Sequence, residues 1–150
     1  MRSCLLALLA LTVPNLAQAQ EFSTPLDVVG TLYGTYFLNV PLTDISPYFS
    51  DRLTERLNGK TIGHKEFSAA GIDPLTGRLN WDPRDFKLAL LSQSVDTAKV
   101  AASFHDGPTV ISVTFDLVRE DMHGWQIDHI AGEAGDQTWC TNSIVSMADP

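Results

Sequence analysis

The sequence predicts an α+β domain, with two amino-terminal helices packed on one face of a four-stranded antiparallel meander. Three observations predict it. Apolar residues recur at three- and four-residue steps between Leu26 and Leu57, and they alternate with other residues between Phe86 and Ile127. The breaks inside the alternating half are too short to hold crossover helices, so neighbouring strands run antiparallel.

Before the domain comes an address. Arg2 gives a positive start, Leu5 to Val13 form a largely apolar run, and Pro14 breaks it. Ala17-Gln18-Ala19 then supplies the small residues that signal peptidase requires, which predicts a cleavable signal peptide over 1–19 and a mature start at Gln20. As a helix, the run would rise only about 14 Å, roughly half a bilayer core, so it is not an anchor. No later stretch is long and apolar enough to span. The expected location is the periplasm or the medium.

The first helix has a capping signature: Thr24 at the N-cap and Pro25 in the first turn. Leu26, Val29, Tyr33, Phe37 and Val40 would form its apolar face, and Pro41 would end it. Gly30 and Gly34 lower its propensity and read as places where another element packs closely. A second helix is predicted after Ser46-Pro47, with Tyr48, Phe49, Leu53 and Leu57 as its stripe and Asn58-Gly59 as its stop. Asp51, Arg52, Glu55 and Arg56 occupy its solvated side. Residues 60–85 carry too many Gly, Pro, Asn and Asp breaks for a long element and read as a loop with one short turn. Loops of that length are often functional.

Four strands follow. Phe86, Leu88 and Leu90 alternate up to a turn at Asp96; Ala98, Val100, Ala102 and Phe104 alternate up to Asp106-Gly107-Pro108. Ile111, Val113, Phe115 and Leu117 form the third set, and Trp125 with Ile127 opens the fourth after Glu120–Gly124. A single domain over 20–131 results, with 132–150 as a carboxy-terminal tail on which Trp139, Ile144 and Val145 have bulk to dock. There are no internal repeats and no low-complexity segments.

Charge narrows the partners. The chain carries a formal net charge of −8, and loss of Arg2 with the signal takes it to −9. With scattered acids and no basic cluster, neither nucleic acid nor an anionic membrane surface is an expected partner. Of the two cysteines, Cys4 leaves with the signal, so Cys140 has no intramolecular partner and reads as an inert, tucked thiol.

The closing strands carry a resemblance. Val113-Thr114-Phe115-Asp116-Leu117-Val118-Arg119-Glu120 followed by Gly124-Trp125-Gln126-Ile127-Asp128-His129-Ile130 resembles the last hairpin of the nuclear transport factor 2-like (cystatin-like) superfamily. More narrowly, the order of Tyr33, Tyr36 and Phe37, then Tyr48-Phe49, then Asp73-Pro74-Leu75 with Trp81, then this hairpin, is similar to the exported bacterial domain of unknown function 3828. The resemblance covers roughly 25–131. It implies a strongly curved sheet closed by helices into a cone, in a superfamily that holds small-molecule isomerases and dehydratases beside binding-only members.

On that layout, Gly124 takes the positive φ of a turn, and a loop centred on Met122 sets Leu117 opposite Ile127. Strict alternation then sends Trp125, Ile127 and His129 into the hollow, and Asp116 and Asp128 outward. Tyr33, Tyr36, Trp81, Trp125 and His129 are the pocket candidates, since aromatic bodies with polar tips suit a small apolar ligand. An acid–base reading would use His129, with Asp73 or Asp82 reaching in and Tyr33 or Tyr36 donating to a developing oxyanion. No residue is assigned a catalytic role, no cofactor motif occurs, and Asp73, Asn80, Asp82 and Asp85 do not match a calcium loop. His64, His105 and His123 lack zinc-ligand spacing. The expected function is therefore an exported domain that binds a small apolar ligand or a protein. An immunity-like inhibitor of a periplasmic toxin and an isomerase or dehydratase are the alternatives.

Overall fold

Thr24 starts α1 (Pro25–Phe37) by a reciprocal cap: its Oγ1 accepts from Asp27 N at 3.2 Å, while Asp27 Oδ2 accepts from Thr24 N at 3.1 Å. In the computed structural model, which describes residues 21–38, 45–57, 73–77, 82–121 and 123–141, this helix lies on the inner face of a sheet. Its buried side is Val28, Val29, Leu32, Tyr33 and Tyr36, whereas Leu26 and Phe37 are exposed. The expected apolar face is thus rotated, and Val40 lies outside the described residues. A Cβ on Gly30 would meet Leu88 at an ordinary 3.5 Å and one on Gly34 would meet nothing within 4 Å, so close approach requires neither glycine.

The second helix starts later than the sequence predicts. Tyr48 and Phe49 sit in extended chain instead, where Phe49 bridges Ile127 in parallel. Ile127 N donates to Tyr48 O at 2.8 Å and Ser50 N to Ile127 O at 2.9 Å. Only then does Ser50 cap α2 (Asp51–Arg56), its hydroxyl accepting from Leu53 N. The free edge of a strand outbids a first helical turn here, because it satisfies the backbone of 48–50 and buries Phe49.

Five strands, β1 (Pro83–Gln93), β2 (Thr97–Asp106), β3 (Thr109–Glu120), β4 (Gly124–Ala134) and β5 (Gln137–Cys140), form one antiparallel sheet in sequence order. The prediction of four strands omits β5, which begins after the two-residue turn Gly135-Asp136; Gly135 has φ +60°. The sheet therefore continues past 131 into the segment assigned to the tail, and Trp139 is buried. Ile144 and Val145 lie outside the described residues, as do the whole proposed signal peptide, Trp81 and most of 58–81.

Alternation holds through β2 and β3: Ala98, Val100, Ala102 and Phe104 are buried, as are Ile111, Val113, Phe115 and Leu117. Leu117 stands opposite Ile127, as the turn length predicts. Gly124 has φ +69°, and a Cβ there would approach Phe22 O to 2.4 Å, so both the turn and the neighbouring chain demand glycine. Helices on one face of the sheet bury this inner layer, with Tyr33, Phe49, Phe104 and Phe115 among its largest fully buried side chains.

Candidate functional site

Five side chains were expected to line one hollow; Trp81 lies outside the described residues, and the backbone sends the other four to different places. Tyr33 and Tyr36, one turn apart on α1, point down onto the 73–77 turn. Tyr33 is 0% exposed and donates from Oη to Leu75 O at 2.7 Å. Tyr36 donates to Asp73 Oδ2, and Leu75 N donates to Asp73 Oδ1 at 2.8 Å. Trp125, second in β4, is buried on the same inner face, and its backbone N–H donates to Phe22 O at 3.1 Å.

His129 does not join them. Asp116 pairs with His129 but Leu117 pairs with Ile127, so β4 holds one extra residue, Asp128, in a bulge. One extra residue reverses every later side chain. His129 therefore shares the outer face with Asp116, and Ile130 takes the inward place opposite Phe115. His129 Nδ1 lies 2.7 Å from Thr141 Oγ1. Trp125 and His129 thus occupy opposite sheet surfaces, which corrects the expectation of a shared hollow.

Asp128 is corrected as well. Rather than pointing into solvent it is buried, with Oδ1 accepting from Ser50 Oγ at 2.7 Å and from Arg52 Nε at 2.9 Å. Arg52 also pairs with Oδ2, a bidentate arrangement that ties α2 to the bulge. Asp82 remains exposed beside Arg84 and does not reach the interior.

Asp73 does reach it, at 6% exposure. Burial pushes its carboxyl above the usual range, against the lowering effect of hydrogen bonds from Tyr36, Leu75 and Thr76. Desolvation, then the nearby Asp73 charge, raises both phenols well above their ordinary value. Trp139 completes the cluster: its Nε1 donates to Pro74 O at 3.0 Å, and its indole lies where a Cβ on Gly132 would be, 2.2 Å from Cζ2. Sequence reasoning gave Trp139 bulk to dock from a tail but no strand to carry it. Its signal was the Gly135-Asp136 hairpin turn three residues before it.

Chemically, the two sides of the sheet differ. The inner cluster is polar, satisfied and closed off by packed aromatic rings, Tyr33 lying edge-on to Phe115 at 5.9 Å between centroids. Such an arrangement fixes the 73–77 turn to α1. The outer side carries a shallow depression of about 300 Å³ lined by Ser112, Thr114, Ala131, Gly132, Glu133, Thr138 and Trp139. Small side chains and hydroxyls there offer hydrogen bonds without walls. Cys140, opposite Ala131, is half-buried on this side. Among the described residues, no three His, Cys, Asp or Glu gather in metal-binding reach, and no helix is long and apolar enough to cross a membrane.

No family model, curated protein or solved structure matches this chain.

Proposed function

We propose that this chain is an exported domain that binds a protein partner through the outer face of its sheet. The observation that carries the reading is the inner layer. Tyr33, Tyr36 and Trp125, three of the side chains expected to line a ligand hollow, fill that space with Phe104, Phe115 and Ile127, while Ser112, Thr114 and Ala131 on the other side stay partly exposed. A small apolar ligand needs a concave site that surrounds it. A flat face of small polar residues suits another protein's surface.

Export rests on the signal-like segment over 1–19 and places the partner in the periplasm or outside the cell. The nuclear transport factor 2-like resemblance, with its cone-shaped sheet, belongs to this proposal; helices on one face of an antiparallel meander support it. The acidic surface would favour a basic partner, and an immunity-like inhibitor of a periplasmic toxin is one form of the reading.

One observation favours catalysis instead: the register seats Asp116 beside His129 on the outer face. Yet Asp116 Oδ1 already pairs with Lys99 Nζ at 2.9 Å. The surface is also too open to keep water from an isomerase or dehydratase reaction.

The test is capture of partners from periplasmic extract on the wild-type chain and on Thr114→Arg, with mass spectrometry of proteins and small molecules. A protein enriched by the wild type and lost by Thr114→Arg, whose melting is unchanged, is the expected result. A co-purifying metabolite retained by both chains would overturn the reading.

A further inference from the structure

We infer that two copies of this chain pair through β1, edge to edge, as an antiparallel homodimer. β1 closes one end of the strand order, and among the described residues no strand pairs with its far side. An open edge of this kind is a template for another strand unless it is short, charged or bulged, and the stretch between this edge's two bulges, 87–90, carries a single charge, Lys87. This one is 11 residues long, and its second half is apolar and exposed: Leu90 is 42% and Leu91 55% accessible, with Val95 at 76% in the turn that follows. The apolar margin continues onto α1, where Phe37, itself 42% exposed, stacks edge-on to Phe86 at 5.0 Å between centroids. The inner layer thus runs to the border of the sheet and is partly exposed there.

The strand is complementary to itself. A twofold axis through Leu88 would set Leu88 against Leu88, Phe86 against Leu90, and Lys87 against Ala89. Leu88 and Leu90 face the inner layer, since they pair with the buried Ala102 and Val100. Both copies would therefore keep their helices on one side of a continuous ten-stranded sheet, with each Phe86–Leu90 contact made twice. No like charges meet: Lys87 lies on the other face with Ala89, whose partners are Ser103 and Ala101.

Two further features single out a second copy. In a chain of net charge −8, β1 carries Arg84 and Lys87 against one acid, Asp85, so this edge is where two acidic molecules repel least. Bulges between Arg84 and Lys87 and between Leu90 and Ser92 also bracket the regular stretch. They confine pairing to one register and, once the twofold closes, leave only the four-residue β5 at each end of the sheet.

The experiment is sedimentation of the full chain over a concentration series, with Leu90→Lys and, as a control on the opposite hairpin, Val110→Lys. The wild type should be a dimer that dissociates on dilution. Leu90→Lys should weaken it about two- to thirtyfold, because two cross-strand contacts are lost per dimer, and Val110→Lys should not. Independently of whether Leu90→Lys folds, Leu88→Cys in a Cys4→Ser, Cys140→Ser background should form a disulfide-linked dimer, while Val110→Cys in the same background should not. A wild-type chain that stays monomeric at every concentration, an unweakened Leu90→Lys dimer, or crosslinking at Val110→Cys but not Leu88→Cys would each overturn the inference.

Discussion

Asp73 is a buried carboxyl whose surroundings change its solution behaviour. Its carboxyl is raised chiefly by burial, so the folded protein holds its proton at pH values where the unfolded chain has already released it. A raised carboxyl stabilises the fold fully below the ordinary carboxylate range, and that contribution is lost as pH rises through the folded value. Asp73→Asn keeps an acceptor for Leu75 N and removes the titration. The stability of the wild type relative to Asp73→Asn should therefore fall as pH rises above the ordinary carboxylate range, as read by urea unfolding of both chains. A difference that is flat or grows with pH would contradict the sign. The sequence made Asp73 visible only as an Asp-Pro turn residue able to reach inward. Nothing in its spacing announced that Tyr36, 37 positions earlier, would supply the hydrogen bond.

At the scale of elements, what could be read from the sequence was whatever depended on period. β2 and β3 alternate cleanly because one face is buried and the other is not, and the register of β2, β3 and β4 follows from tight turns at Gly107 and Gly124. The bulge at Asp128 could not be read that way, since a single extra residue leaves the local composition unchanged while reversing His129. The late start of α2 was hidden for a related reason: Tyr48 and Phe49 fit a helical stripe, but β4's edge is the stronger competitor. Asp128 is where these two surprises meet, as it binds Ser50 and Arg52 together. Asp128→Ala should cost about 1–3 kcal/mol, because the buried Ser50 hydroxyl loses an ionised acceptor. Arg52→Ala should cost less, roughly 1 kcal/mol at most, since its side chain is mostly exposed. Denaturant midpoints of the two single variants check the order; a larger loss for Arg52→Ala would mean that the ion pair, not the buried cap, anchors the helix.

For the whole molecule, the deciding question is whether the space between helices and sheet is core or pocket. α+β class, antiparallel order and the inner layer were all legible, because burial of alternating apolar residues is a property of long segments. The pocket was not, because whether such a layer closes on itself depends on side-chain volumes brought together from distant segments. Phe115 sits fully buried at the centre of β3, with Tyr33 and the paired Val100 and Ile130 around it. If this is close-packed core, Phe115→Ala should lose about 3–5 kcal/mol, part of it from the cavity left where the ring was. That cavity would be apolar and dry, the kind that takes up a molecule such as benzene. Benzene should therefore raise the melting temperature of Phe115→Ala and leave the wild type unchanged, since binding stabilises only a folded state that has room for the ligand. A wild-type chain that benzene stabilises as much as the variant would mean that the hollow exists after all, and the outer face would lose its claim as the working surface.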